Sequence, residues 1–332
     1  MRAVVITRPG GPEVLELREV ARPEPGPHHL LVQVHATAVN RADLLQRAGL
    51  YPAPADSPQD IPGLEYAGVV AAVAAGVAHW RAGDRVMGLV GGGSYAEFVT
   101  THEDEAVRIP ASLSFEHAAA VPEAFITAHD ALFSQMRLAR GESVLIHAVG
   151  SGVGTAALQL ARAAGARVLG TQRSRWKLDR ATALGLDVAI DTSVEDFVAV
   201  VLRETAGRGV DGVLDLVGGD YVGDDLRALA VRGRILLVGL VAGARHNLDL
   251  RLMLRQRASL TGTVLRARSL EEKITATQAF ARDVLPLLES GTVVPVVHDV
   301  LPLQDAARAH EIVAANTNYG KVVLQVTAAA TG

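Results

Sequence analysis

Residues 144–157 read V-L-I-H-A-V-G-S-G-V-G-T-A-A, an apolar run that breaks into glycines and then becomes helix-like. Counted from Gly152 the turn is G-x-G-x-x-A. Counted in the register that ends on the last glycine, the fingerprint positions are Val149, Ser151 and Gly154, so only one glycine is kept. The chemistry open to such a turn is anion binding. Backbone N–H groups at a helix N-terminus carry partial positive charge, and small residues let a pyrophosphate approach them closely. A plain strand-to-helix turn has a similar composition, so the glycines gain meaning only inside a βαβ unit, where they point to a dinucleotide.

A second set of residues follows at the spacing where ribose recognition belongs, about 20 residues beyond the turn. An Asp or Glu there would accept from the 2′-hydroxyl of NAD. This chain instead reads T-Q-R-S-R-W-K over 171–177. Arg173, Ser174, Arg175 and Lys177 form a cationic, hydroxyl-bearing cluster that suits a 2′-phosphate, because a guanidinium matches phosphate oxygens with a planar fork. The expected cofactor is therefore NADPH; the alternative is a solvated helix start. Further on, L-L-V-G-L closes a strand at Gly239 and Leu240, and Gly218-Gly219 follows L-D-L-V. Each could meet the cofactor through its backbone or be an ordinary turn.

The elements that must position these residues alternate. Strand, turn and helix repeat as 144–147 then 152–164, 167–171 then 174–184, 188–190 then 194–205, 212–216 then 221–230, and 234–239. Such βα repetition specifies a doubly wound parallel sheet, and the continuously apolar strands V-L-I and I-L-L-V fit burial on two faces. Residues 1–110 are dense in Pro and Gly and carry short β-rich runs, the pattern of an antiparallel, barrel-like unit. Its one helix, R-A-D-L-L-Q-R-A-G, is expected to be capped by Asn40 and stopped by Gly49. After Gly262 a helix near 270–289, a strand at 293–297, a helix at 303–314 and the strand K-V-V-L-Q-V are expected, and this third part should rejoin the first. At 332 residues, two domains are the expectation.

Composition removes several function classes. A net charge of −4 gives no basic surface for a phosphate backbone, so nucleic acid is not expected as a partner. With no cysteine in the chain, disulfides, Cys-ligated zinc and a thiol nucleophile are excluded. The eleven histidines show no metal-ligand spacing. A hydrophobic share of 49% with 20% charged residues fits a globular protein, with disorder expected only in the final A-A-A-T-G. The most apolar stretch, 66–78, is shorter than the roughly 20 residues a membrane span needs, and M-R-A-V-V-I-T reads as a strand rather than a leader. No membrane association and a cytoplasmic location are expected.

Taken together, N-R-A-D-L-L-Q-R-A-G-L-Y-P, I-P-G-L-E-Y-A-G, H-A-V-G-S-G-V-G-T-A-A-L-Q-L and N-Y-G-K-V-V-L resemble the zinc-free quinone oxidoreductases of the medium-chain dehydrogenase/reductase superfamily. The S-G-V-G-T-A-A, P-E-A-F-I-T-A and G-G-G-S-Y-A-E-F-V segments are most similar to its tumour-suppressor-inducible, zeta-crystallin-like branch. The resemblance implies a GroES-like β-barrel catalytic domain from residues 1–122 and 266–332, a Rossmann NADPH-binding domain at 123–265, and a homodimer that reduces quinones without a metal. Asn40 and Leu64 stand where metal-dependent members carry Cys and His. Reduction of 2-alkenals or enones is the enzymatic alternative; a nucleotide-binding structural or RNA-associated protein is the alternative of another class.

The resemblance also assigns roles. Ser151, Gly152, Val153 and Gly154 match the turn that holds the pyrophosphate, and Ser174 and Lys177 match positions that bind the 2′-phosphate. Thr192 stands where relatives place a Tyr or His over that phosphate, so that contact is weakened and Arg173 or Arg175 compensates. Gly218, Gly239, Leu240, Val264 and Leu265 match segments lining the adenosine and nicotinamide ends, and Lys321 a segment near the carboxamide. Tyr51 matches a tyrosine beside nicotinamide and substrate. Its hydroxyl could stabilise the oxygen on which charge develops during hydride transfer, or its ring could only roof the pocket. Ser151 could assist Tyr51 or position the cofactor. A nucleophilic role for it is disfavoured, since His147 lies on the strand side of the turn with no carboxylate partner evident. Asn40 could orient ribose or substrate carbonyl, or cap its helix. Asp43 and Glu65 are expected to hold loops, and Gly91–Gly93 could be a mobile loop or a tight connection.

Overall fold

The structure, a computed structural model, describes residues 1–327; the A-A-A-T-G tail lies outside the described residues. The chain divides into two compact units, Met1–Ile126 with the segment from Leu265 onward, and Thr127–Val264.

The middle unit is a six-stranded, all-parallel sheet in the order Val188–Asp191, Arg167–Gln172, Ser143–Ile146, Val210–Asp215, Leu229–Leu237, Ser259–Gly262. Its continuously apolar strands are enclosed on two faces, and Val144, Leu145 and Ile146 are fully buried. The strand order reverses between Ser143–Ile146 and Val210–Asp215. At such a switch point the loops leave in opposite directions and open a crevice at the carboxyl ends of the strands. The glycine turn leaves one of those two strands and enters the helix Gly152–Ala163.

The other unit is built on a seven-stranded sheet centred on His29–Val39, which pairs antiparallel with Glu65–Val73, Phe98–His102 and Lys321–Gln325. The late strand Lys321–Gln325 thus packs inside a sheet begun near the N-terminus. Ala3, Leu30, Val32, Tyr66, Val86 and Val322, all at most 1% exposed, share its core with residues of the helix Ala306–Ala314.

Two expectations for this unit are corrected. The strand anticipated at 293–297 runs instead over Val297–Pro302 and pairs in parallel with Lys321–Gln325. Pro295 lacks an N–H and cannot serve a ladder, so pairing starts beyond it. The helix anticipated over 270–289 is two helices, Leu270–Asp283 and Leu285–Glu289; Pro286 sits in the first turn of the second, where the missing N–H costs nothing.

Candidate functional site

In the middle unit the glycine turn is held by its own serine. Ser151 has extended backbone angles and its Oγ accepts from the Gly154 N–H at 3.0 Å, an N-cap on the helix Gly152–Ala163. The N–H groups of Gly152 and Val153 donate to no acceptor among the described residues, so they remain available to an anion. The one glycine kept in the fingerprint register is explained by packing: a Cβ on Gly154 would stand 2.4 Å from the Ala148 carbonyl oxygen and 2.8 Å from Val149 Cα. The helix and the turn that leads into it approach too closely there for a side chain.

Beneath the turn lies a pair that sequence reasoning did not find. His147 is fully buried, with Nε2 2.6 Å from Asp225 Oδ1 and Nδ1 2.7 Å from Thr171 Oγ1. The rings of Phe197 and Tyr221 meet it edge-on at 4.9 and 4.8 Å. A carboxylate partner for His147 therefore exists. Since both ring nitrogens are engaged away from Ser151, the arrangement still offers no base to a serine nucleophile. Burial is the leading cause that pushes the Asp225 carboxyl up to about 6, with His147 opposing it.

At the end of the neighbouring strand Arg173 is exposed and has no hydrogen bond or ion pair among the described residues, whereas Arg175 is paired with Asp179 at 2.9 Å. Ser174 opens the helix Arg175–Ala183, but its side chain makes no capping bond. Lys177 is buried with its Nζ 5.5 Å from the Trp176 ring centroid. Thr192 receives the Tyr221 hydroxyl at 3.5 Å, so a phenol stands beside the position where the resemblance implies a Tyr or His in relatives. Gly218 has a φ of +69°, and a Cβ on it would lie 2.8 Å from the Gly239 carbonyl oxygen, while a Cβ on Gly239 would meet the Leu216 backbone; each glycine is required by the chain it faces. Leu240 and Val264 are each 54% exposed.

The other unit assembles a denser polar network from residues far apart in sequence. The Lys321 ammonium lies 2.7 Å from Glu65 Oε1 and also donates to the Val39 carbonyl and to Asn40 Oδ1. Asn40 Nδ2 donates to Glu65 Oε1 at 2.8 Å, and the Glu123 backbone N–H fills Glu65 Oε2 at 2.8 Å. The Asn40 amide is thus turned into this network. Asn40 is the N-cap residue of the helix Arg41–Arg47, as expected, and shares a capping box with Asp43, whose Oδ2 accepts from the Asn40 backbone N–H at 2.8 Å. Asp43 Oδ1 takes the Gly63 N–H at 3.0 Å, and its Oδ2 the Tyr95 hydroxyl at 3.3 Å. Burial lifts the Asp43 carboxyl to about 6 against the pull of these bonds.

Tyr51 is fixed by Arg266. The guanidinium carbon lies 5.3 Å from the phenol ring centroid, Nη1 reaches the Tyr51 carbonyl at 3.4 Å, Nε donates to the Gly91 carbonyl at 2.7 Å, and Nη2 to Gln46 Oε1 at 2.6 Å. One cation ties the Tyr51 loop, the glycine loop and the helix Arg41–Arg47 together. Withdrawal from water pushes the Tyr51 phenol up, so its hydroxyl keeps its proton as a donor. Beside it a small pocket is lined by Leu64, Leu89, Val90, Glu123, Leu265 and Arg266.

The sequence-derived residues therefore fall into three groups. Ser151, Gly152, Val153 and Gly154 form the turn, with Gly218 and Gly239 at other strand ends of the same sheet. Arg173, Ser174 and Lys177 share one helix start, with Thr192 after the next strand. Asn40, Tyr51, Leu265 and Lys321 belong to the other unit, where sequence reasoning missed Glu65, Glu123 and Arg266 as site residues. Glu65 and Glu123 stand in the segments I-P-G-L-E-Y-A-G and P-E-A-F-I-T-A, but nothing in their spacing joins residues 65, 123, 266 and 321. Where the resemblance aligns zinc ligands, Leu64 has no donor atom and Asn40 is engaged by an ammonium. Among the described residues no cluster of three or more His, Asp or Glu could hold a metal, and no helix is long and apolar enough to cross a membrane.

A parallel sheet with an anion-ready turn at its switch point, together with a mixed sheet carrying a polar pocket, defines a nucleotide-dependent dehydrogenase architecture. The comparisons agree. Residues 152–282 match the zinc-binding dehydrogenase family profile, and residues 26–111 the alcohol dehydrogenase GroES-like domain. The rat quinone oxidoreductase is 34% identical over 330 residues, 98% of this chain and 97% of that protein. Among solved structures, the Escherichia coli quinone oxidoreductase complexed with NADPH is 31% identical, covers 98% of this chain and 100% of its own, and has a TM-score of 0.89. An NAD-dependent alcohol dehydrogenase is 34% identical, covers 98% and 100%, and has a TM-score of 0.89. This chain belongs to the quinone oxidoreductases of the medium-chain dehydrogenase/reductase superfamily, with a GroES-like unit and a Rossmann unit.

Proposed function

We propose that the protein is an NADPH-dependent quinone reductase. The observation that carries the choice of cofactor is the unpaired Arg173 guanidinium beside Ser174, in a position that offers a 2′-phosphate a cation and a hydroxyl and offers a 2′-hydroxyl no carboxylate. Since relatives of equal likeness include an NAD-dependent enzyme, this local chemistry decides. Lys177, Thr192 and Tyr221 flank the same phosphate. The turn fits a pyrophosphate, because the Gly152 and Val153 N–H groups are uncommitted and the Ser151 hydroxyl, while accepting from Gly154, retains a hydrogen to donate. Gly218, Gly239, Leu240 and Val264 border the rest of the dinucleotide.

When bound, NADPH supplies a hydride. The protein's own part is to bind the acceptor and stabilise the charge that forms on it. Leu64, Leu89, Val90 and Leu265 form the apolar side of the small pocket against which the acceptor would lie. Tyr51, held by Arg266, presents a phenol to the developing oxyanion, and Lys321 with Asn40 keeps the Glu65 charge neutralised nearby. A second copy of the chain covers the edge strand Ser259–Gly262, where Leu250, Leu254 and Val264 are at least 54% exposed; a monomeric mass in light scattering removes this part.

The deciding experiment follows NADPH oxidation with ortho- and para-quinones, 2-alkenals and simple aldehydes, beside NADH. Quinone turnover with NADPH preferred is expected, and Arg173→Glu should raise the KM for NADPH at least ten-fold while leaving that for NADH within about two-fold, a charge-assisted hydrogen bond contributing about 1.5–3 kcal/mol. Activity with alkenals alone, or an unchanged cofactor preference, refutes the corresponding part.

A further inference from the structure

Glu123 lines the pocket shared with Arg266 and Leu265, and its side chain is tied to no structural hydrogen bond. Its backbone N–H is committed to Glu65 Oε2; its carboxyl oxygens have no hydrogen-bond or ion-pair partner among the described residues. Every other acid near the pocket is engaged. Glu65 is held by Lys321, Asn40 and the Glu123 N–H, Asp43 by the N–H groups of Asn40 and Gly63 and by Tyr95, and Glu105 by Lys273 at 3.4 Å. The Glu123 carboxyl thus reaches the wall of the pocket partly exposed and tied to no protein group, free to meet what enters.

We propose that Glu123 is the proton donor of the reaction, protonating the oxygen on which the reduced acceptor carries its charge. The proposal rests on the quinone-reductase assignment. Once a quinone has accepted a hydride from NADPH, leaving NADP⁺, it is a hydroquinone monoanion. The Glu123 Oε–H bond breaks, an O–H bond forms on that anion, and hydroquinone and a Glu123 carboxylate result. Glu123 retains partial exposure, so water restores its proton before the next turnover.

The surroundings keep the acid protonated until it is needed. Withdrawal from water is the largest effect, the Glu65 and Asp43 carboxylates add repulsion, and Lys321 and Arg266 oppose; together they push the Glu123 carboxyl up to about 8. A general acid works best when its pKa lies near the working pH. The other candidates are poorer donors. Lys321 has three acceptors on its ammonium, and the Tyr51 phenol, itself shifted upward, is suited to lending a hydrogen bond without giving up its proton.

The test uses the full-length protein and Glu123→Gln, which keeps shape and removes the acid; Glu123→Asp serves as the conservative control. In the cofactor-free protein, infrared difference spectra across pH 6–10 should show a protonated-carboxyl C=O band that disappears around pH 8 and is absent from Glu123→Gln. With a para-quinone and saturating NADPH, wild-type kcat should fall as pH rises through that range. Glu123→Gln should lose about 10²-fold in kcat, the usual share of a general acid, and lose the alkaline fall, with NADPH affinity by fluorescence titration within two-fold of wild type. Glu123→Asp should recover part of the rate. A Glu123→Gln enzyme with wild-type kcat, one that keeps the alkaline fall, or a Glu123 already ionised at pH 7 in the infrared titration overturns the proposal. Wild-type protein inactive on every quinone overturns the parent assignment, an outcome visible before any variant is made.

Discussion

Each unit hides one acid–base pair behind its candidate site, and the two pairs are solved differently. In the GroES-like unit Glu65 has both oxygens filled, Oε1 by Lys321 and Asn40 and Oε2 by the Glu123 N–H. In the Rossmann unit Asp225 has Oδ1 against His147, while its buried Oδ2 has no hydrogen-bond partner. A fully satisfied buried pair behaves as a fixed structural charge. A half-satisfied one sits close to neutralising itself, because a buried carboxylate without enough donors favours its protonated form. The first pair should therefore respond to mutation and the second to pH.

Lys321→Met gives the largest expected effect. It keeps the length and apolar stem of the side chain but leaves Glu65, fully buried, with two neutral donors and no cation. Removing one partner of a buried pair costs about 3–5 kcal/mol. Urea denaturation of the whole chain at neutral pH measures it, and a loss below about 1 kcal/mol would show that Asn40 and the Glu123 N–H suffice, erasing the contrast between the pairs.

Asp225→Asn tests the other side. The folded-state carboxyl is raised to about 6 from an unfolded value near 3.9, so its stabilising contribution is complete below the unfolded value and is lost as pH rises through about 6. The wild type carries that loss and the amide variant does not. Between pH 4 and pH 8 the stability difference should move in favour of Asp225→Asn by up to about 3 kcal/mol, since a tenfold change in proton affinity is worth about 1.4 kcal/mol. A difference that stays flat with pH would mean that His147 keeps Asp225 ionised throughout, as a fixed pair like Glu65 and Lys321.

The same contrast explains what the sequence disclosed. The Rossmann site is made largely of backbone: a strand, a turn and a helix N-terminus contiguous in residues 143–163, followed at the expected interval by 173–177. Local spacing carries such a site, so its turn, its cationic helix start and the parallel sheet were legible. The GroES-like site is made of side chains at 40, 51, 65, 123, 266 and 321, brought together by strand pairings such as Val322 with Val39. No periodicity links those positions, and Glu65 and Asp43 read as loop-holding acids. Local rules also stop short of what tertiary partners add. Asn40, a good N-cap by type, stands at the N-cap in a capping box with Asp43, and its amide is also drawn to Glu65 and Lys321, which no local rule foresees.

Ser151 gives the smallest effect and the sharpest division between the roles open to it. Its Oγ bond to the Gly154 N–H is a helix cap, so Ser151→Ala should cost about 1 kcal/mol of stability and Ser151→Gly only a few tenths. If the hydroxyl's remaining hydrogen serves a phosphate of the cofactor, the alanine variant should weaken NADPH binding about 2- to 10-fold, the range of one neutral hydrogen bond of about 0.5–1.5 kcal/mol. Its kcat at saturating NADPH should then stay within two-fold of wild type. Removing an interaction made only in the transition state instead lowers kcat and kcat/KM together. A ten-fold drop in kcat with unchanged NADPH affinity would therefore place the Ser151 hydroxyl with Tyr51 at the reacting oxygen, and the turn would cease to be a site built of backbone alone.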